Sequence, residues 1–201
     1  MKERILQTAS QMFLSQGFKT TTMDDIAREM GVSKKTLYKF FQNKEDLVKE
    51  TTLYVFGYIY KNIDKIKQQN LNPIEEFFQI RKFIKESVKT TSFSPYAQLK
   101  KYYPDIAQML LNLKKQYVMQ SIEENLKRGI DEGIYKKNMD INFMKRWYFG
   151  NVYLLISEEN FPSDEFDRRE ISNTFIKIFL QTITNKKGKA LLKKLKKTYG
   201  I

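Results

Sequence analysis

The stretch from Thr20 to Glu50, TTTMDDIAREMGVSKKTLYKFFQNKEDLVKE, constrains the fold of this chain more than any other. Thr22 is a good N-cap, and Asp24 and Asp25 follow where carboxylates oppose the positive end of a helix dipole, so a helix is predicted from Met23. Ile26, Ala27 and Met30 share one face of it, and Gly31 supplies the left-handed backbone that ends it. Ser33 can cap a second helix in which Leu37 and Phe41 face inward, leaving Lys34, Lys35, Thr36, Tyr38 and Lys39 outside. The small side chain of Ala27 lets the two helices cross closely, and Gly31, four residues on, provides the sharp turn. The pattern is a helix-turn-helix.

In such a unit the second helix lies in the DNA major groove. Lys34, Lys35 and Lys39 would then neutralise phosphates or read guanine, while Thr36 and Tyr38 offer hydroxyl contacts. A short basic helix taken alone is more often a solvated lysine face. Here the cap, the alanine, the glycine and the amphipathic spacing coincide, which favours the DNA reading.

The chain resembles the TetR family of transcriptional regulators through three segments. They are ILQTASQMFLSQGF (Ile5 to Phe18), TTTMDDIAREMGVSKKTLYKFFQNKEDL (Thr20 to Leu47) and the later EGIY (Glu132 to Tyr135). The resemblance implies an all-α fold of about nine helices. A three-helix DNA-binding domain over 1–47 would be followed by a larger helical regulatory and dimerisation domain over 48–201. It also places Thr22 and Lys44 at phosphate-contacting positions, so the expected DNA-binding set is Thr22, Ser33, Lys34, Lys35, Thr36, Tyr38, Lys39 and Lys44. Phe40 departs from the family, which often carries a polar ring there, and receives no role.

Composition agrees with this. Four prolines and eight glycines in 201 residues favour helices over a turn-rich β fold. With no Cys and no His, disulfides, the commonest zinc sites and every Ser-His or Cys-His pair are excluded. Paired acids such as Glu123 and Glu124 are sequence neighbours and point apart on a helix. No catalytic residue, metal or cofactor is expected. No run of about 18 apolar residues or apolar leader suggests a membrane, so a cytoplasmic location is expected. The net charge of +13 is uneven: residues 1–50 carry nine basic and seven acidic side chains, whereas 185–201 carry seven lysines and no acid. The DNA reading therefore rests on where lysines sit, and not on net charge.

Along the chain, Ile5, Leu6, Ala9, Met12 and Phe13 form the stripe of a first helix ending at Gly17, and Phe18 is expected to plug the three-helix core. Asn43 caps a helix of about 25 residues by its apolar spacing. Asn72-Pro73 opens another, with Ile74, Phe77, Ile80, Ile84 and Val88 inward and a break at Thr90 to Ser94. Helices are predicted over Pro95 to Tyr102, Pro104 to Asp131, Ile141 to Ser157 and about Asp164 to Thr184. The last two are apolar on too many sides for one core. In the family such helices pair across a two-fold axis as a four-helix bundle, which implicates Phe149, Val152, Tyr153, Ile156, Phe175, Ile178 and Phe179; a monomer core is the other reading.

The tail 185–201 sets Leu191, Leu192 and Leu195 between lysines; flanking DNA or anionic lipid is one reading, leucines packed on the body the other. By resemblance the second domain holds an unidentified small ligand, with Phe83, Tyr103, Tyr117 and Trp147 as candidate lining, although core packing explains each aromatic more readily. The expected function is a homodimeric regulator of a palindromic DNA operator, most naturally a repressor released by that ligand. The alternative is a TetR-like adaptor whose second domain binds a protein.

Overall fold

A computed structural model describes residues 1–87, 95–155, 157, 159–162 and 164–199. Ten helices follow in order: α1 (Lys2–Gln16), α2 (Met23–Glu29), α3 (Lys34–Tyr38), α4 (Lys44–Lys67), α5 (Pro73–Ser87), α6 (Pro95–Tyr102), α7 (Pro104–Asp131), α8 (Ile141–Leu155), α9 (Arg168–Ile183) and α10 (Lys186–Tyr199). Among the described residues, extended pairing is confined to one bridge between Tyr135 and Thr184. The fold is all-α. The tail supplies a tenth helix beyond the nine or so expected.

Asn43 and Asn72 begin helices as their sequence signals predict, and Asp140 and Asn185 precede two more. Asn43, Asn72, Asp140 and Asn185 each accept, through the side-chain oxygen, the backbone N–H three residues on, at 2.8–3.0 Å. Each bond satisfies one of the donors a helix start leaves open. Gly31 and Gly133 take φ of 65° and 68°, the left-handed geometry their turns require. Two boundaries differ from expectation, one of them the end of α8, which stops at Leu155 and does not include Ser157. The helix predicted from about Asp164 starts at Arg168, because the preceding residues form a turn in which the Phe166 N–H donates to the Pro162 carbonyl at 2.9 Å. Val88, the break at Thr90 to Ser94 and Ile156 lie outside the described residues.

The chain forms two compact units, one of Met1–Lys65 with Phe83–Leu113, the other of Ile66–Lys82 with Lys114–Ile201. In the first, Ile5, Ala9, Phe13, Ile26, Leu37, Phe41 and Leu47 are buried, each a position that the helical stripes point inward. Phe18 is the expected plug: its ring stacks on Phe13 at 5.1 Å, and it meets Tyr103 edge-on at 6.5 Å. Burying a ring of this size contributes about 1.5–3 kcal/mol. The packing extends past the first three helices, since Leu99 of α6 and Ile106, Ala107 and Leu110 of α7 belong to the same core.

The second unit has an aromatic core. Phe77, Trp147, Tyr148, Phe175 and Phe179 meet ring to ring at centroid distances of 4.8–6.2 Å. Beside it lies a polar network. Buried Glu76 accepts from Arg128 Nη2 at 2.9 Å and from Asn125 Nδ2 at 2.7 Å, and Asn125 Oδ1 accepts from the Tyr135 hydroxyl at 3.1 Å. Burial, then the nearby Glu76 charge, raise the Tyr135 phenol well above its ordinary range, so it stays a donor. Leu192 of α10 is buried in this unit and Leu191 and Leu195 pack against it, the bland reading of the tail's leucines. Among the described residues, no helix is long and apolar enough to cross a membrane.

Candidate nucleic-acid interface

The exposed face of α3 stands on a closed core. Leu37 and Phe41 are fully buried, and with a helical period this turns Lys34, Lys35, Tyr38 and Lys39 outward. The start of the helix is pinned by Ser33, whose hydroxyl accepts the Thr36 N–H at 3.2 Å and shares a hydrogen bond with the Thr36 hydroxyl at 2.9 Å. Tyr38 is 45 % exposed and its phenol makes no hydrogen bond among the described residues, so it can donate to a base edge or a phosphate. Phe40 is also largely exposed and offers only apolar contact.

Lys34 is the exception on this face. Its ammonium donates to Asp24 Oδ2 at 2.9 Å, and that bond raises the lysine's pKa. The sequence marks Asp24 only as a first-turn carboxylate; the structure adds it as a partner for a lysine expected to read bases. Both groups are at least half exposed, so the pair is worth little in water and can be exchanged for a phosphate or a base.

A second edge forms where α2 begins. Thr22 and Asp25 make a reciprocal capping box: Thr22 Oγ1 accepts the Asp25 N–H at 3.1 Å, and Asp25 Oδ2 accepts the Thr22 N–H at 2.9 Å and its hydroxyl at 2.7 Å. The Thr22 bonds, with Arg28 adding to them, hold the Asp25 carboxyl below its usual range. Lys44, the first residue of α4, donates to the Lys19 carbonyl at 3.2 Å, and partial burial lowers its pKa. The two expected phosphate-contacting positions are thus tied into the local fold before any ligand arrives.

The four aromatics proposed as a ligand lining fall in separate clusters. Tyr103 packs against Phe18, and Trp147 stacks on Phe179 at 5.9 Å; the Tyr117 ring carries the Lys67 ammonium at 5.8 Å, and Phe83 is half-buried near the end of α5. The seam set divides as well. Phe179 is fully buried and Phe175 nearly so, both inside the aromatic core of their own chain, unlike the exposed positions expected of a seam. Phe149 and Val152 are half-buried, and Tyr153 and Ile178 are 37 % and 49 % exposed, joined by Leu154, which the sequence reading left out.

A three-helix head whose third helix is capped, exposed and basic has the helix-turn-helix arrangement of DNA-binding proteins. Residues 5–51 match the family model described as bacterial regulatory proteins, tetR family. The chain is 23 % identical to the HTH-type transcriptional repressor KstR2 of Mycolicibacterium smegmatis, covering 93 % of this chain and 92 % of that protein. It is 24 % identical to IcaR of Staphylococcus aureus, the negative transcriptional regulator of the biofilm operon icaADBC, over 74 % of this chain and 82 % of the relative. A transcriptional regulator from Cytophaga hutchinsonii has the same fold, with a TM-score of 0.71 over 91 % of this chain and 98 % of that one at 19 % identity. Residues 5–51 thus resemble the TetR-family regulatory segment, and the chain is similar along most of its length to transcriptional repressors. Its relatives are regulators, not enzymes.

Proposed function

We propose that this protein is a homodimeric repressor that reads a palindromic operator through α3 and is released when a small molecule binds the C-terminal helical domain. The observation that carries the DNA reading is the exposed Lys34, Lys35, Tyr38 and Lys39 set on a helix whose opposite side is fully buried. Lys34 and Tyr38 would read bases; Ser33, Thr36, Lys35, Lys39, Thr22 and Lys44 would hold phosphates. The curated relatives named as repressors support the sign of regulation. Dimerisation is supported by the apolar side chains that α8 and α9 leave in solvent, Tyr153, Leu154 and Ile178, which a second copy would cover. Two-fold symmetry then sets the reading helices about 34–36 Å apart, one turn of DNA. The ligand arm follows from the family resemblance, with a cytoplasmic setting and domains of 1–47 and 48–201.

Selection of bound sequences from random duplexes, at fixed salt, tests the DNA reading. The wild type should enrich a short inverted repeat. The double variant Lys34→Gln/Tyr38→Phe should keep its fold and lose discrimination by about 1–3 kcal/mol per altered base contact. Unchanged selectivity in the variant would remove these two residues from base reading.

A further inference from the structure

The turn between α1 and α2 is gripped from two sides. Gly17 has φ of 95°, a backbone geometry that favours glycine, and a Cβ there would lie 2.7 Å from Gln98 Oε1 and push that side chain aside. The same amide oxygen accepts the Phe18 N–H at 2.9 Å, and Lys44 holds the Lys19 carbonyl from the other direction. One consequence is the placement of the Lys19 ammonium, 5.6 Å from the centre of the Tyr102 ring at the end of α6. Lys101 places its own ammonium 5.5 Å from the same ring. Two cations from separate segments therefore converge on one aromatic ring, in the unit that carries the reading helix, and the Lys19 carbonyl is the one that Lys44 holds. Neither makes an ion pair among the described residues, and both side chains are exposed.

We propose that Lys19 and Lys101, set on Tyr102, form a second phosphate-binding surface that grips the DNA backbone outside the base-reading helix. The competing explanation is that Lys100 and Lys101 simply oppose the negative end of the α6 dipole. It accounts for Lys101 and leaves Lys19 unexplained, since Lys19 belongs to another segment and reaches the ring through the turn at Gly17. Two like charges brought together without a carboxylate fit a polyanion, and the polyanion already implied for this unit is duplex DNA. The inference rests on the DNA reading above.

The test compares the full-length wild type with Lys19→Gln/Lys101→Gln on one duplex across a salt series. Each phosphate contact contributes about 0.9 to the slope of log affinity against log salt, so the variant's slope should be shallower by about 2. The operator-to-scrambled affinity ratio should stay constant, and Lys19→Arg/Lys101→Arg should restore the slope. Trimming the duplex to the operator alone should erase the difference between wild type and the Gln variant. A wild-type slope in the Gln variant, or an Arg variant that fails to restore it, overturns the proposal; a mere dipole role shifts the melting temperature and leaves the slope alone. Should the double variant fold poorly, each single Gln variant should lower the slope by about 1. If the wild type selects no sequence, the base-reading assignment fails, while the slope measured on random-sequence duplex still decides this surface.

Discussion

The two compact units spend the same helical period differently. In the first, the side chains that the stripe turns inward close a core, and what α3 leaves outside is lysine and tyrosine. In the second, α9 buries Phe175 and Phe179 and, one residue before the latter, presents Ile178 to solvent; α8 does the same with Trp147 half-buried and Leu154 exposed. A helix with one apolar stripe needs one neighbour, and a helix with two needs a second. The first unit turns a polar face outward. The second leaves apolar side chains in solvent.

Neighbouring positions on α9 give the sharpest way to break this contrast. Phe179→Ala should destabilise the fold by about 3–5 kcal/mol through the cavity it leaves, read by denaturant unfolding. Ile178→Lys should leave a folded chain and halve the mass seen by sedimentation; if it unfolds the chain and Phe179→Ala does not, the inward and outward sides have been exchanged. In the first unit the comparable change is smaller. Thr22→Ala removes the capping box, at a cost of about 1 kcal/mol, and with it a proposed phosphate contact, so operator affinity should fall for all sequences alike.

The smallest effect is a pH dependence in the second unit. The Glu123 carboxyl bonds Lys127 Nζ at 2.7 Å and also Lys145 Nζ, and these bonds lower its pKa from 4.5 to about 2. The folded value lies below the unfolded one, so this stabilisation is complete above about 4.5 and fades as pH falls towards 2. Glu123→Gln should therefore flatten the acid limb of the stability curve in that window and leave neutral pH nearly unchanged. An equally steep limb in the variant would assign the slope to other carboxylates.

Local chemistry made much of this legible in advance. Asn43, Asn72, Asp140, Pro73, Gly31 and Gly133 mark helix ends by what their own atoms can do, and the structure puts helix ends there. The inward face of α3 was equally readable, because Leu37 and Phe41 have no polar alternative. Long-range partners were not. Nothing in the spacing of α6 says that Gln98 will receive the Phe18 N–H eighty residues away, or that Asp24 will take Lys34. The seam expectation for Phe179 has the same origin: periodicity reports that a ring is on an apolar stripe, and is silent on which neighbour covers it.

The junction at the start of α10 gives a final consequence. Asn185 donates from its side chain to the carbonyls of Gly133 and Tyr135 and from its backbone to that of Ile134, while a Cβ at Gly188 would stand 2.1 Å from the Ile134 oxygen. The lysine-rich tail is thus latched to the EGIY bend by a fit that even one added methyl group would spoil. A chain cut before Asn185 would lose more than charge: three carbonyls of that bend would have to find water instead, and the loosening would begin about a hundred residues along the chain from the helices proposed to face DNA.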